Sequence, residues 1–295
     1  MPLGKAAPRR VSESGSESTL PLELAKRPSD PVGGRYNASV GREDCSSPWL
    51  GAASMITLHY TATANGLKAA IALEEMGLEY QVIDYPLFEG RHLTPEFRRL
   101  NPNCKLPLIV DDESGAGAEP MIIFETGAIL LYLADKTGLF MPKDGPARWE
   151  VVKWLIWQVA GHGPMNGQAH HFLRYAPEGE DYAIARYVNE ATRLLNVLEY
   201  RLRDSNYLGG EQYSIADIAA WPWVQASWLL GIDLASFLMV SRWSEAISAR
   251  DAVIRATMSP TTGIPSGNTQ YRARLTDEQW SNLFGANLHM AATLR

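Results

Sequence analysis

The sequence predicts an α/β domain followed by an all-α domain, and three observations support this class. Between Met55 and Lys136, short apolar runs and helical segments follow one another in the order βαβ and then αββα. That order is neither an alternating parallel sheet nor a meander, and it is typical of a small mixed sheet flanked by helices. A turn-rich linker containing Pro142, Gly145 and Pro146 follows, and beyond it apolar residues recur at helical spacing.

In the first domain, periodicity and turn residues locate each element. Residues 66–76 carry apolar side chains at helical spacing and end at Gly77, and Pro95 opens a short helix over 94–100. A third helix is predicted at 125–136. The four strands are predicted at 55–60, 80–84, 106–110 and 121–124.

The second domain is predicted to contain four helices, at about 149–175, 182–203, 214–229 and 240–249. Ser214 and Asp217 form a capping-box pattern at the start of the third, which we interpret as structural. From about Ser259 the chain is loop-rich, with one short amphipathic helix near 276–284. The predicted organisation is an extension at 1–54, the sheet domain at 55–138, the helical domain at 147–258 and a C-terminal extension at 259–295.

Composition excludes several classes of protein. The chain has 295 residues, of which 46% are hydrophobic and 20% charged, enough to build a substantial core. Its net charge of -6 argues against nucleic acid as a partner, and no apolar run is long enough to span a membrane. Cys45 and Cys104 form no CxxC pair, and His162, His170 and His171 lack a third ligand at suitable spacing, so we expect no metal.

The N-terminal 54 residues are rich in Ser, Pro, Gly and Arg and show no periodicity, so we expect an extension without regular structure. The basic residues Lys5, Arg9 and Arg10 make a mitochondrial transit peptide the alternative, although three glutamates before residue 24 argue against it. Met55 directly precedes the first strand and is a second candidate for the start of translation. A cytoplasmic location is expected.

A proline at the start of the third predicted strand, Pro107, removes a donor from the sheet ladder. In thioredoxin-like sheets a cis proline at this point turns the backbone N–H and C=O of the preceding residue, here Leu106, towards a peptide-like ligand. The alternative is that Pro107 merely opens the strand.

Glu125 and Thr126 stand at a strand-to-helix junction. The unpaired N–H groups at the start of a helix favour an anion, Thr126 adds a hydroxyl donor, and Glu125 can accept from an ammonium group. Such a site suits an α-amino acid end such as a γ-glutamyl group. The alternative is a capped helix with an acidic first turn.

Thr63 and Asn65 lie where the first strand passes into the first helix, and both side chains can donate hydrogen bonds. A free thiol has a pKa of about 8.5, and lowering it by about two units takes roughly 2.7 kcal/mol of preferential thiolate stabilisation. Two or three charge-assisted hydrogen bonds supply that much. The alternative is that these residues only cap the helix.

Together these motifs resemble those of the glutathione transferases, most closely the nu class and the related fungal transferases, from about Met55 to Met258. The resemblance rests on long stretches in the right order, at 63–66, 101–107, 124–133, 163–172, 182–187 and 213–218. It implies a thioredoxin-like domain that binds glutathione as co-substrate, followed by a helical-bundle domain, in a homodimer.

The resemblance also implies roles for individual residues. Thr63 and Asn65 would face the glutathione sulfur, and the backbone of Leu106, before Pro107, would pair with the cysteinyl part. Glu125 and Thr126 would hold the γ-glutamyl end. His92, a weaker match to the family, would contact the glycine end. Arg186 would reach across the dimer to a bound glutathione. One departure is Ala64, where the family has a proline, which puts the rigidity of this loop in doubt.

Two other thiol-handling residues are alternatives. Tyr60, at the end of the first strand, could be the activating tyrosine of other transferase classes. Cys104 could be a reactive cysteine, although it precedes the third strand and not the first helix. The pattern of Thr63 and Asn65 matches better, and we interpret Trp221, Trp223 and Trp228 as core residues of the helical domain.

The predicted function is therefore that of an enzyme using the glutathione thiol or thiolate. Two chemistries remain open: reduction of disulfides, which needs no protein cysteine because two glutathiones supply both thiols, and conjugation to a small electrophile. Alternatives are a non-catalytic regulator with this fold, disfavoured because the N-terminal extension is not Asn- or Gln-rich, and a tailoring enzyme of a biosynthetic pathway.

Overall fold

A computed structural model of the chain describes residues 55–113, 119–259 and 273–293. The extension predicted at 1–54 lies outside these residues. No helix in the described ranges is both long and apolar enough to cross a bilayer.

The first half is a mixed four-stranded sheet in the order β2-β1-β3-β4. Strand β1 pairs in parallel with β2 and antiparallel with β3, and β3 pairs antiparallel with β4. The strands are β1 Ile56–Tyr60, β2 Tyr80–Asp84, β3 Leu108–Asp111 and β4 Met121–Phe124. Strand β3 begins two residues later than predicted because Pro107, joined to Leu106 by a cis peptide bond, cannot donate to the ladder.

Three helices accompany the sheet: α1 Ala64–Glu75, α2 Pro95–Leu100 and α3 Thr126–Thr137. Every residue of α1 from Gly66 to Leu73 is buried, because the helix lies between the sheet and the helical half and contacts α3. Alanines at 69, 70 and 72 allow this close approach on all sides. The first turn of α1 is therefore fixed by packing.

The helical half contains α4 Gly145–Trp157, α5 Gly163–His170, α6 Asp181–Arg201, α7 Ile215–Gln225, α8 Leu238–Ser248 and α9 Asp251–Met258. Single π-helical turns, Gln158–His162 and His171–Tyr175, follow α4 and α5, so the helix predicted at 149–175 is continuous but locally widened. Such turns are frequent at functional sites. The predicted class, a thioredoxin-like domain followed by a helical domain, is confirmed.

The predicted capping box is present at the start of α7. Asp217 is fully buried and accepts hydrogen bonds from the backbone N–H of Leu208 and Ser214 and from Trp243 Nε1, at 2.8, 3.0 and 2.8 Å. Burial raises the pKa of this carboxyl to about 6. Its donors tie α7 to α8 and to the preceding loop, which is a structural role.

The C-terminal segment forms two helices, α10 Asp277–Phe284 and α11 Ala286–Thr293, of which only α10 was predicted. Asn282 Nδ2 donates to the carbonyl of Phe88 at 3.0 Å, so α10 holds the loop that follows β2. The ring of Phe284 packs edge-on to His171, with centroids 4.5 Å apart. The segment therefore packs against both halves.

Candidate functional site

A cavity of about 700 Å³ lies between the start of α1 and the helices of the second half. Thr63, Ala64 and Leu67 line it from α1 and its cap, and Arg174, Trp223 and Trp228 are among the residues that line it from the helical half. Most of the wall is apolar. The cavity thus has Thr63, one of the two predicted thiol-binding residues, at one side and aromatic side chains at the other.

Thr63 caps α1, and its Oγ1 accepts from the backbone N–H of Gly66 at 3.2 Å. A hydroxyl that accepts one hydrogen bond still has its own proton to donate. The capping role and the predicted donor role are therefore compatible, and the side chain, half-buried at the cavity wall, can serve both.

Asn65 is oriented by a residue from the other half of the chain. Its Oδ1 accepts from Nε1 of Trp223 at 3.1 Å. Because an indole N–H only donates, the oxygen of the amide is the atom that faces Trp223, and the amide nitrogen with its two protons points elsewhere. That nitrogen has no hydrogen-bond acceptor within the described residues, so both protons are available to a ligand.

Gly66 lets the first turn of α1 approach the end of β1. A Cβ on this residue would lie 2.1 Å from the carbonyl oxygen of Thr61 and 2.7 Å from the ring of Tyr60. Any other residue would push the turn away and displace Thr63 and Asn65. The close approach of the turn to β1 therefore requires glycine at position 66.

The two alternative thiol-handling residues are both covered. Tyr60 is 0% exposed, and burial together with the charge of Asp84 raises the pKa of its phenol well above the usual range. Cys104 is also 0% exposed, lies under α11 with Sγ 3.9 Å from the carbonyl oxygen of Ala291, and has a pKa raised by burial. Neither geometry suits a residue that activates or attacks a bound thiol.

The Leu106–Pro107 peptide bond is cis, as the sequence predicts for a thioredoxin-like sheet. Leu106 precedes the paired part of β3, and neither its backbone N–H nor its C=O is hydrogen-bonded within the described residues. These groups are therefore available to an extended peptide-like ligand.

Glu125 adopts φ 69° and ψ 119° directly before α3, a left-handed backbone that is strained for a non-glycine residue. Its side chain is exposed and makes no capping hydrogen bond. This argues against the alternative of an ordinary acidic cap and leaves the carboxylate available beside the open N–H groups of α3.

Lys68 was not identified from the sequence. It is 1% exposed, and its Nζ donates to Gln158 Oε1 at 2.8 Å and, at a longer 3.4 Å, to Thr126 Oγ1. Burial lowers the pKa of this lysine to about 7, and the charge of Glu125 acts in the opposite direction. One signal could have revealed it: Lys68 is the only charged residue between Gly66 and Leu73.

Of the predicted site residues only Thr63 lines the cavity; Asn65, Leu106, Pro107, Glu125, Thr126, His92 and Arg186 do not. His92 is 6% exposed, packs edge-on to Phe97, and has a pKa lowered to about 4 by burial and, secondly, by Lys105. Arg186 lies on α6 with an exposed side chain, 3.8 Å from Glu190. Their predicted contacts with glutathione remain predictions.

The helical wall contains a cation that sequence reasoning missed. Arg174 is 6% exposed, lines the cavity and packs 5.5 Å from the ring centroid of Tyr175. His170, also at the wall, has a pKa lowered to about 4 by burial and then by Arg174, so it is neutral. No cluster of metal-ligating side chains occurs in the described ranges.

The prediction that the three tryptophans are core residues is correct only for Trp221, which is 5% exposed. Trp223 is half-buried and Trp228 is 57% exposed, and all three line the cavity. The reason is that α7 ends at the cavity: Trp223 lies in its last turn and Trp228 on the 3-10 turn that follows, Ser227–Leu230, so both face the opening.

Comparisons with known proteins agree with the fold of the two halves. Residues 64–136 match the profile of the glutathione S-transferase N-terminal domain, and residues 181–250 match that of the C-terminal domain. The disulfide-bond oxidoreductase YfcG of Escherichia coli strain K12 is 49% identical over 209 residues, covering 71% of this chain and 97% of YfcG.

Two solved structures are also similar. A glutathione transferase from Burkholderia graminis, with two glutathione molecules bound per subunit, is 42% identical with a TM-score of 0.66, covering 71% of this chain and 90% of that one. A glutathione transferase from Pseudomonas putida, with one glutathione disulfide bound per subunit, is 38% identical with a TM-score of 0.65, covering 70% and 92%.

Proposed function

The chain belongs to the glutathione S-transferase family, and we propose that it is a glutathione-dependent enzyme that reduces disulfides in the cavity beside α1. The observation that carries this proposal is the orientation of Asn65. Its amide nitrogen is turned away from Trp223 and has two protons to donate, which is what a thiolate at the start of α1 requires.

The remaining groups suit the rest of the glutathione molecule. The unpaired backbone of Leu106 would pair with the cysteinyl amide groups, as an added strand does. The open N–H groups of α3 and the Thr126 hydroxyl would receive the γ-glutamyl carboxylate, and Glu125 its ammonium group. His92 would contact the glycine end.

The proposed reaction has two exchange steps. The bound glutathione thiolate attacks one sulfur of the acceptor disulfide, forms a mixed disulfide and releases one acceptor thiolate. A second glutathione thiolate attacks the glutathione sulfur of that mixed disulfide, giving glutathione disulfide and the other acceptor thiolate. Two glutathiones are oxidised and one disulfide is reduced, without the buried Cys104.

Conjugation is the second candidate, favoured by one observation. The cavity wall is largely aromatic and aliphatic, with Trp221, Trp228 and Leu229 among its residues, and such a wall would accept an apolar electrophile. The disulfide chemistry is preferred because relatives similar over most of their length are named as disulfide-bond oxidoreductases or contain glutathione disulfide.

We further propose a homodimer working in the cytoplasm. The exposed apolar side chains of Met121 and Ile122 on the edge strand β4 give a surface that a second subunit could cover. In such a dimer the exposed Arg186 would be free to reach the partner's glutathione. Arg186→Ala should then weaken glutathione binding, measured by calorimetry, while sedimentation still shows a dimer; unchanged binding would contradict this role.

The purified protein should be tested with glutathione and either 2-hydroxyethyl disulfide or an aromatic electrophile. We expect the larger kcat/KM with the disulfide. A larger value with the electrophile would make conjugation the function. If glutathione binds but neither substrate is turned over, the result would support the non-catalytic regulator. If neither of these substrates is turned over but an intermediate of a biosynthetic pathway is, the result would support a tailoring enzyme.

A further inference from the structure

Lys68 is a buried amine that forms no ion pair within the described residues, although the charge of the exposed Glu125 acts on it. Its Nζ contacts two neutral oxygens, Oε1 of Gln158 and Oγ1 of Thr126. A buried ammonium without a paired anion is costly, and a well-packed apolar residue in its place is often as stable or more so. An anion that arrives with a ligand would remove this cost.

The position of Lys68 indicates where that anion binds. Thr126 is the first residue of α3, so the ammonium group lies against the helix end whose N–H groups are open. Because the Thr126 hydroxyl accepts from Lys68, its own proton is left to donate outward. Lysine, hydroxyl and helix end thus favour negative charge at one point.

We propose that Lys68 is a positioning residue for glutathione, supplying through Thr126 the positive charge that selects the α-carboxylate of the γ-glutamyl group. This inference rests on the proposed function only in taking glutathione as the ligand. Gln158, on the π-helical turn after α4, accepts a hydrogen bond from Lys68, so the helical half orients a lysine that belongs to the sheet half.

The surroundings of Lys68 make its charge responsive to the ligand. Glu125 is exposed and makes no hydrogen bond to Lys68, although its charge acts to raise the pKa of the lysine. His162 on the π turn is neutral, because burial and then the charge of Lys68 lower its pKa to about 3. The other helices against α1 add no charge here within the described residues: Asp217 of α7 is bonded elsewhere, and the arginines at 250 and 255 pair with glutamates at the far end of α1.

The consequence is a proton linked to binding. The pKa of Lys68 near 7 in the empty site should rise when a carboxylate arrives, because the opposite charge favours the ammonium. The cationic form binds the carboxylate, so binding is strongest below pH 7 and weakens as the pH rises past that value. Over this range the complex should take up a proton from solution.

The test uses S-methylglutathione, whose sulfur cannot ionise, and its analogue with 4-aminobutyrate in place of the γ-glutamyl residue, which lacks only the α-carboxylate. Calorimetry between pH 6 and 8.5, in buffers of different ionisation enthalpy, measures affinity and proton uptake. For the wild-type chain we expect uptake and falling affinity with S-methylglutathione, and neither with the analogue. Equal behaviour of the two ligands would overturn the proposal even if no variant folds.

Lys68→Met tests the residue, and Gln158→Met is the matched control that removes the tie between the halves without removing the charge. Lys68→Met should bind S-methylglutathione about ten-fold or more weakly at pH 6.5 and lose the pH dependence, while its affinity for the analogue matches the wild type. Gln158→Met should keep the pH dependence. If both variants weaken both ligands alike, Lys68 only joins the two halves and the proposal is wrong.

These outcomes are independent of the reaction catalysed. Disulfide reduction by the wild-type chain can be present while Lys68→Met leaves carboxylate binding unchanged, which would overturn this inference alone. Conversely, carboxylate-linked proton uptake without any turnover would leave this inference standing and contradict the proposed activity.

Discussion

The two parts of the proposed site are built in different ways. The part proposed to bind glutathione depends on backbone features: the cap at Thr63, the cis bond before Pro107 and the strained Glu125. The part proposed to bind the acceptor, the helical wall of the cavity, depends on side chains that helices present, such as Trp228 and Arg174. Backbone features cannot change without altering the fold, whereas side chains on a helix surface can. The comparison therefore predicts a fixed co-substrate and an adjustable acceptor.

The largest effect is expected at the thiol. Thr63→Ala and Asn65→Ala should each lower the rate near neutral pH by about ten- to a hundred-fold, because each removes a charge-assisted hydrogen bond to the thiolate. The pKa of bound glutathione should rise in step, so that activity returns at higher pH. Profiles of rate against pH measure both quantities.

Two controls accompany these variants. Tyr60→Phe and Cys104→Ala should keep most of the activity, because both side chains are fully buried away from the cavity. If Tyr60→Phe alone abolished turnover, the protein would belong to the tyrosine type. If Cys104→Ala were the inactive variant, the protein would carry its own nucleophile, and Thr63 and Asn65 would not be the catalytic residues.

A smaller and more selective effect is expected at the acceptor wall. Arg174→Met should lower kcat/KM by about ten-fold for a disulfide that carries carboxylates, because a partly desolvated cation is lost, and should leave the value for neutral 2-hydroxyethyl disulfide nearly the same. The KM for glutathione should not move. A parallel loss with both disulfides would mean that Arg174 supports the fold of this wall and does not select the acceptor.

The smallest effect tests the link between the two sides. Trp223→Phe removes the indole N–H that fixes the Asn65 amide, so the pKa of bound glutathione should rise and the rate near pH 7 should fall about three- to ten-fold. Trp221→Phe is the matched control, since the indole of Trp221 donates to the carbonyl of Ser244 instead. It should leave the thiol pKa unchanged; an equal shift in both variants would contradict the orienting role of Trp223.

Much of the fold was predictable from local signals. The strands Tyr80–Asp84 and Met121–Phe124 have the predicted bounds, since turn residues and apolar runs delimit them. Helices α9 and α11 were missed. The first begins only three residues after α8 ends, without Gly or Pro between them, and the second is a short run with several small residues and a weak periodic pattern. Short helices of this kind are stabilised by packing more than by propensity.

By itself, the sequence determined the fold class, the cis bond before Pro107, the cap at Thr63 and the capping box at Ser214, because each depends on residues close together in the chain. A local pattern fixes local backbone geometry and hydrogen bonding, whatever the rest of the chain does.

Only the tertiary structure decided the burial and charge of Lys68, the contact of Asn65 with Trp223, and the place of Arg174 at the cavity wall. Lys68 and its hydrogen-bond partner Gln158 are 90 residues apart in the chain, and Asn65 and Trp223 are 158 residues apart. No periodicity in the sequence indicates such pairs. Burial by a distant helix changes the pKa of a lysine, and an indole N–H chooses the orientation of an amide. Both effects depend on which surfaces meet, which packing alone settles.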